Sequence, residues 1–220
     1  MDSVKDLYDL SRSQAGEYLS QFTYPWEALS GIAEMIRALG ETLDPTEYTR
    51  IAQEVWVHRS ATIAVTASIK GPAIIGAGAE IRHGAFIRGS ALVGENCVVG
   101  NSVELKNVIL FDKVQVPHFN YVGDSILGYC AHMGAGAVTS NVKSDKSLVV
   151  IHGECDIPTG IKKVGAFLGD HVEVGCNSVL NPGTVIGRNS NVYPTSCVRG
   201  VIPANCIYKT GGKIVEKNKE

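Results

Sequence analysis

Aliphatic residues recur at every sixth position from Val57 onward: Val57, Ile63, Ile69, Ile75, Ile81, Ile87, Val93, Val99 and Leu105. Two positions earlier runs a second, mostly small register of Ala61, Ala67, Ala73, Ala79, Ala85, Ala91, Cys97 and Val103. The residue between the two varies freely (Thr62, Ser68, Ile74, Glu80, Phe86, Leu92, Val98, Glu104). In an extended strand, positions i and i−2 share one face and i−1 takes the other. A small residue and a branched aliphatic therefore point inward together once per repeat. An amphipathic helix would show apolar residues at i, i+3, i+4 and i+7 instead. Short strands joined by tight corners and wound around a narrow prism satisfy the pattern. The expected fold is all-β, a left-handed parallel β-helix over residues 51–208. With three repeats per coil, about 18 residues return the chain to the same edge roughly 4.8 Å higher.

The repeat falters between Phe111 and Leu127, where Pro117 takes an aliphatic position and four extra residues intrude. It breaks again over residues 142–163, then runs cleanly through Leu168, Val174, Leu180, Ile186, Val192 and Val198. Each interruption is expected to be a loop pushed outside the prism, where solenoids place function. Alternation at Leu148 and Val150, with Ile157 beyond a polar turn, predicts a hairpin that projects toward a neighbouring site. Residues 1–50 are different in kind. Pro25 and Glu27 open a helical stripe of Trp26, Leu29, Ile32, Ile36 and Leu39 that Gly40 is expected to end. A second short helix is expected from Asp44-Pro45, and the pair should cap the first coil. Residues 209–220 read as a charged tail after a last strand.

The chain of 220 residues carries a net charge of −2, so nothing points to nucleic acid or to an anionic membrane as partner. The amino terminus has no apolar run of signal-peptide type, and no stretch approaches a membrane span. Six cysteines show neither a paired framework nor a C-x-x-C motif, which makes a reducing cytoplasm the expected setting.

Arg88 and Lys106 lie one coil apart, each just after an inward aliphatic, so they should stack on one corner. Stacked like charges repel, and a phosphate between them would relieve that, gripped by the arginine and met by the lysine as a point charge. The bland alternative is two solvated surface charges. The faltering segment Val116-Pro-His-Phe-Asn-Tyr-Val-Gly-Asp124 offers His118, able to accept a proton near neutral pH, and the hydroxyl of Tyr121. A histidine hydrogen-bonded within a loop is the alternative there.

These residues, with Val103-Glu-Leu-Lys106 and Gly134-Ala-Gly-Ala-Val-Thr-Ser-Asn141, resemble the hexapeptide-repeat acyltransferases. The likeness is to the acetyltransferase domain of bifunctional enzymes that make UDP-N-acetylglucosamine. It is closer still to archaeal sugar-1-phosphate nucleotidylyltransferase/acetyltransferases, which Lys163-Val-Gly-Ala-Phe-Leu-Gly-Asp-His-Val-Glu-Val-Gly175 fits well. The resemblance implies a homotrimer with acetyl-CoA as cosubstrate, an amino-sugar phosphate as acceptor and no metal. It implies His118 as general base, Arg88, Lys106 and Tyr121 on the sugar phosphate, and Asn141 near the acyl group. Ala135 falls near the thiol end of the cofactor, and Cys176 and Pro194 at cofactor-lining positions. Lys146 corresponds to a loop lysine across loops of unequal length. His132 stands where the bacterial enzymes have a sugar-contacting asparagine, which leaves the identity of the sugar open. No stretch of the 220 residues reads as a nucleotidylyltransferase domain, so a separate nucleotidylyltransferase is an expected partner. Two other readings stay open: a non-catalytic trimeric module that binds sugar phosphate or CoA, and a zinc-dependent carbonic-anhydrase-like enzyme built on histidines.

Overall fold

The structure, a computed structural model, describes residues 2–218. The expected prism is present, with short parallel strands stacked on three faces. The first face carries Thr62–Ile63, Glu80–Ile81, Val98–Asn101, Gln115–His118, His132–Met133, Glu173–Val174, Asn191–Val192 and Cys206–Lys209. The second runs from Ser68–Ile69 through Phe86–Ile87 and the opening residues of Glu104–Leu110 and Tyr121–Leu127 to Val138–Thr139, Val179–Leu180 and Cys197–Val198. The third starts at Val55–His58 and Ala73–Ile75 and ends at Val201–Ile202. Inward aliphatics such as Ile75, Ile81, Ile87, Val99 and Leu105 are buried, as their six-residue spacing predicts. Cys97 fills an inward small position, where burial pushes its thiol far above the usual range and makes it an inert spacer. No helix among the described residues is long and apolar enough to cross a membrane.

The first interruption is not a loop. Val99 pairs with Val116, Leu105 with Val122 and Leu110 with Leu127, so the chain stays in the prism throughout. What changes is the corner between the second and third faces, one residue shorter at Lys106-Asn107 than at Arg88-Gly89-Ser90. The shortening recurs at Gly123-Asp124, and Val116 rather than Pro117 points inward, fully buried. The second interruption does leave the prism. Val150–His152 and Asp156–Pro158 form an antiparallel hairpin, and buried Val149 and Ile151 dock it on the prism's own flank. Gly183 and Gly200 make room there, since a Cβ would lie 2.9 Å from Ile151 and 2.6 Å from the His152 carbonyl.

The amino-terminal segment is helical but does not cap the first coil. Its 3-10 turn Pro25–Gly31 and α-helix Ile32–Thr42 lie along the third face, joined by residues further upstream. The Tyr8 ring stacks 5.0 Å from Phe111, its hydroxyl donates to the Ile126 carbonyl, and Trp26 packs 6.1 Å from Phe167. The cause is a ridge of outward residues on that face: Trp56, Ile74, Leu92, Ile109, Ile126, Phe167 and Val185, all buried and in ladder register. Left bare, such a ridge would hold contiguous apolar surface in water.

Two boundaries differ from expectation. Asp44-Pro45 starts a turn, in which the Asp44 carboxylate accepts from the Thr46 N–H at 2.7 Å and lies below its ordinary pKa because the Thr46 hydroxyl and amide both bond it. The helix continues past Gly40 to Thr42, because Gly40 marks a close approach rather than an end. A Cβ there would sit 2.6 Å from the buried Trp56 ring. Gly40→Ala is therefore expected to destabilise by about 1–3 kcal/mol through overpacking, against a helix-propensity gain of about 1 kcal/mol. Urea unfolding of the two proteins measures the sign. The charged tail is also partly structured: Lys213–Glu216 pairs antiparallel with Cys206–Lys209, while residues 219–220 lie outside the described residues.

Candidate functional site at two adjacent corners

The ladder brings four of the predicted residues into a single column. At the corner after the first face, main-chain hydrogen bonds climb from coil to coil. The Gly136 N–H donates to the His118 carbonyl at 3.0 Å, Asn177 N–H to Ala135 at 2.8 Å and Thr195 N–H to Cys176 at 2.8 Å. His118, Ala135, Cys176 and Pro194 are thus successive occupants of one edge, although a 22-residue excursion separates the second from the third in sequence. His118, Cys176 and Pro194 are exposed, whereas Ala135 and Gly136 project almost nothing. The edge beside the imidazole is therefore left low by the two small residues of the next coil.

Asn120 fixes that corner. Its side chain is 2 % exposed, accepts from the His118 N–H at 3.1 Å, and donates to the carbonyls of Gly134 at 2.8 Å and Ala137 at 3.0 Å. A buried amide with its bonds satisfied rigidifies the backbone around it. Phe119, between Asn120 and His118, has a φ of +51°, which turns the chain sharply after the histidine.

The corner after the second face carries the cations. Arg88 N–H donates to the Leu105 carbonyl, and Lys106 pairs with Gly123 in the next coil, so Arg88 and Lys106 stack as their spacing predicts. They are not bare. Arg88 meets Glu104 at 2.6 Å, and Lys106 meets Asp124 at 3.0 Å. Repulsion between them is relieved within the chain, so their stacking alone does not require a bound anion. Gly123 lies in the same column because the Tyr121 side chain folds across it, and a Cβ would come within 2.4 Å of the hydroxyl.

Folded over that corner, the Tyr121 hydroxyl accepts from Asn141 Nδ2 at 3.2 Å. Burial, then the nearby Asp124 and Glu104 charges, hold the hydroxyl above its ordinary pKa, so it keeps its proton as a donor. Arg88, Lys106, Tyr121 and Asn141 therefore form one group, with the second face joining it to the His118 column. Glu104, Tyr121, Val138 and Val179 point outward from that face.

His132 and Lys146 do not join the group in this chain. His132 points out from the first face, on the far side of the His118 corner, where its Nδ1 lies 2.7 Å from Glu173. Lys146 sits on an exposed turn with φ +55°, ahead of the hairpin. Beneath that hairpin, Lys143 rather than Lys146 lines a cleft of about 400 Å³ with Ser140, His152, Asn181 and Arg199. Asp124 and Asn120 were not singled out from sequence. The local signal for Asn120 was a polar residue two before inward Val122, where the preceding coils carry Ala67, Ala85 and Val103, while Asp124 falls at a corner and carries no such signal. Among the described residues, no three His, Cys, Asp or Glu side chains converge closely enough to hold a metal ion.

Comparison with known proteins agrees with this architecture. The bifunctional protein GlmU of Methanococcus maripaludis is 31% identical over 120 residues, 54% of this chain and 29% of that protein. A bifunctional sugar-1-phosphate nucleotidylyltransferase/acetyltransferase of Sulfurisphaera tokodaii is 36% identical over 98 residues, 44% of this chain and 24% of that protein. The chain spans less than a third of the length of these relatives. Among solved structures, the polySia-specific acetyltransferase NeuO superposes with a TM-score of 0.51 at 14% identity over 74% of this chain and 82% of that one, which shows a shared fold. Residues 69–202, more than half of the chain, match the family model described as the GMPPB C-terminal domain, and the chain belongs to that family.

Proposed function

We propose that this chain is an acetyl-CoA-dependent N-acyltransferase whose acceptor is the amine of an amino-sugar phosphate. The observation that carries the reading is the column of His118, Ala135, Cys176 and Pro194, set one face away from Arg88, Lys106, Tyr121 and Asn141. A base beside a corner of small residues on one edge, with cationic and hydroxyl donors on the next, suits a ligand pair that meets on the second face. The name of the Sulfurisphaera tokodaii relative, a sugar-1-phosphate nucleotidylyltransferase/acetyltransferase, supports the same class.

Acetyl-CoA supplies the acetyl group as a thioester, and the small Ala135-Gly136 corner leaves room for it beside His118. His118 accepts the proton that the attacking amine loses and returns it to the departing thiolate, so no covalent enzyme intermediate is needed. The Ala135 N–H, without a backbone acceptor among the described residues, would steady the oxyanion formed at the thioester carbon. Arg88 and the Tyr121 hydroxyl hold the sugar phosphate, with the Asn141 amide bonded to Tyr121 at the same corner. Lys106 adds its charge to the phosphate site while anchored by Asp124. In a homotrimer, a second prism packed against the second face would close the site from solvent.

Thiol release from acetyl-CoA with glucosamine 1-phosphate and other hexosamine phosphates tests the proposal. Turnover is expected with at least one amino-sugar phosphate and with none of the corresponding N-acetylated sugars. Lys106→Ala should raise the acceptor KM roughly tenfold, the scale of a charge-assisted hydrogen bond of about 1.5 kcal/mol, with the acetyl-CoA KM unchanged. The alternative is a binding module without turnover. Tight sugar-phosphate binding with no thiol release from any acceptor would select it.

A further inference from the structure

We propose that Asp124 is a positioning residue of this site, acting through Lys106 and Asn141 rather than on substrate; the inference rests on the acyl-transfer reading. Asp124 occupies the shortened corner at φ +49°, with its side chain 4% exposed. Its Oδ1 accepts from Lys106 Nζ at 3.0 Å and from Asn107 Nδ2 at 2.9 Å. Its Oδ2 accepts from Lys106 Nζ at 3.2 Å and from Asn141 Nδ2 at 2.5 Å. An ionised carboxylate offers about four acceptor sites, and all of them are taken. The group has no lone pair left for a substrate proton or a metal. What it does is hold a lysine from the coil below and an amide from the coil above in one geometry.

The main chain around it extends that hold. The Asp124 carbonyl accepts from the Gly165 N–H at 2.8 Å, and the Asn141 carbonyl accepts from the Val164 N–H at 3.0 Å. The two ends of the 142–163 excursion are therefore tied at this corner. Asn107 Nδ2 also reaches the Leu29 carbonyl at 3.2 Å, which links the corner to the amino-terminal segment. A free lysine loses much rotamer entropy when a ligand orders it. Here that ordering is complete before any ligand arrives, which is what preorganisation of a binding site requires.

The role has a sign that separates it from simple charge balance. If Asp124 only neutralised Lys106, Asp124→Asn would free a cation and tighten binding of a phosphate-bearing acceptor. If it positions, the amide presents a donor toward Lys106 or Asn141, both side chains lose their place, and binding weakens despite the added positive charge. In the full chain, Asp124→Asn is expected to lower kcat/KM for the amino-sugar phosphate about 100-fold, the scale of a misplacement of about 1 Å. Both a higher acceptor KM and a lower kcat should contribute, while the acetyl-CoA KM stays within twofold. The Lys106→Ala/Asp124→Asn double variant should be little worse than Asp124→Asn alone, because the two share one interaction. Asp124→Glu keeps the charge but displaces both partners, so it should lose activity too, and it serves if the asparagine variant does not fold. An unchanged or lower acceptor KM in both variants overturns the proposal. Should wild type acetylate no amino-sugar phosphate, the acyl-transfer reading fails by itself. A crystal structure of Asp124→Asn then decides: displaced Lys106 Nζ and Asn141 Nδ2 support positioning, and both atoms in place overturn it.

Discussion

Replacing His118 with alanine is expected to lower kcat by roughly 10²–10⁴-fold, the usual contribution of a positioned general base. The side chain is exposed, and the corner is held through its main chain. The His118 N–H goes to Asn120 and the carbonyl accepts from Gly136, so the backbone geometry survives loss of the ring. Unfolding temperature and acetyl-CoA binding should stay near wild type, which separates lost chemistry from lost structure. Alanine at Asn120 should behave differently. It would leave the buried Ala137 carbonyl without its donor and the Gly134 carbonyl with only the Ala137 N–H, and cost stability as well as rate. Thiol release that persists above a tenth of wild type in the His118 variant would remove the histidine from the base role.

Phe167→Ala should be the most damaging single change to the fold outside the inward register. Phe167 points away from the prism axis yet is completely buried, between Ile126 and Val185 in the ladder and beside the Trp26 ring. Truncating a buried phenylalanine costs about 3–5 kcal/mol. For a chain of this size each kcal/mol lowers Tm by roughly 2–4 °C. The cavity would open under the 3-10 turn Pro25–Gly31, so limited proteolysis should cut residues 20–44 before the prism itself unfolds. Equal resistance to protease in variant and wild type would show that the amino-terminal segment is held by something other than this ridge.

That ridge was visible in the sequence at a period not used to read it. The outward residue looks unconstrained at steps of six, but every third one is large and apolar: Trp56, Ile74, Leu92. The six-residue clock reports the inside of a coil, whereas an 18-residue clock reports one face of the stack. The helical stripe of residues 25–39 was legible, and its docking partner was legible too, at that longer period.

The first interruption failed for a related reason. Losing one residue from a corner shifts the phase of the six-residue count, and a shifted phase looks like inserted residues when only the strand positions are matched. The ladder resolves the ambiguity, because Val116 pairs with Val99 and lies inside.

By itself, the sequence determined the prism, the stacking of Arg88 on Lys106, and the excursion at 142–163, because each follows from local spacing repeated along one chain. Only the tertiary structure decided that His118, Ala135, Cys176 and Pro194 share an edge, since the excursion between them hides the register that hydrogen bonds restore. Only it showed carboxylates on both cations, because Asp124 reaches Lys106 from the next coil through a shortened corner that no fixed period anticipates. Spacing states which residues face outward; which of them meet depends on corner length, and corner length is set by the packing of successive coils.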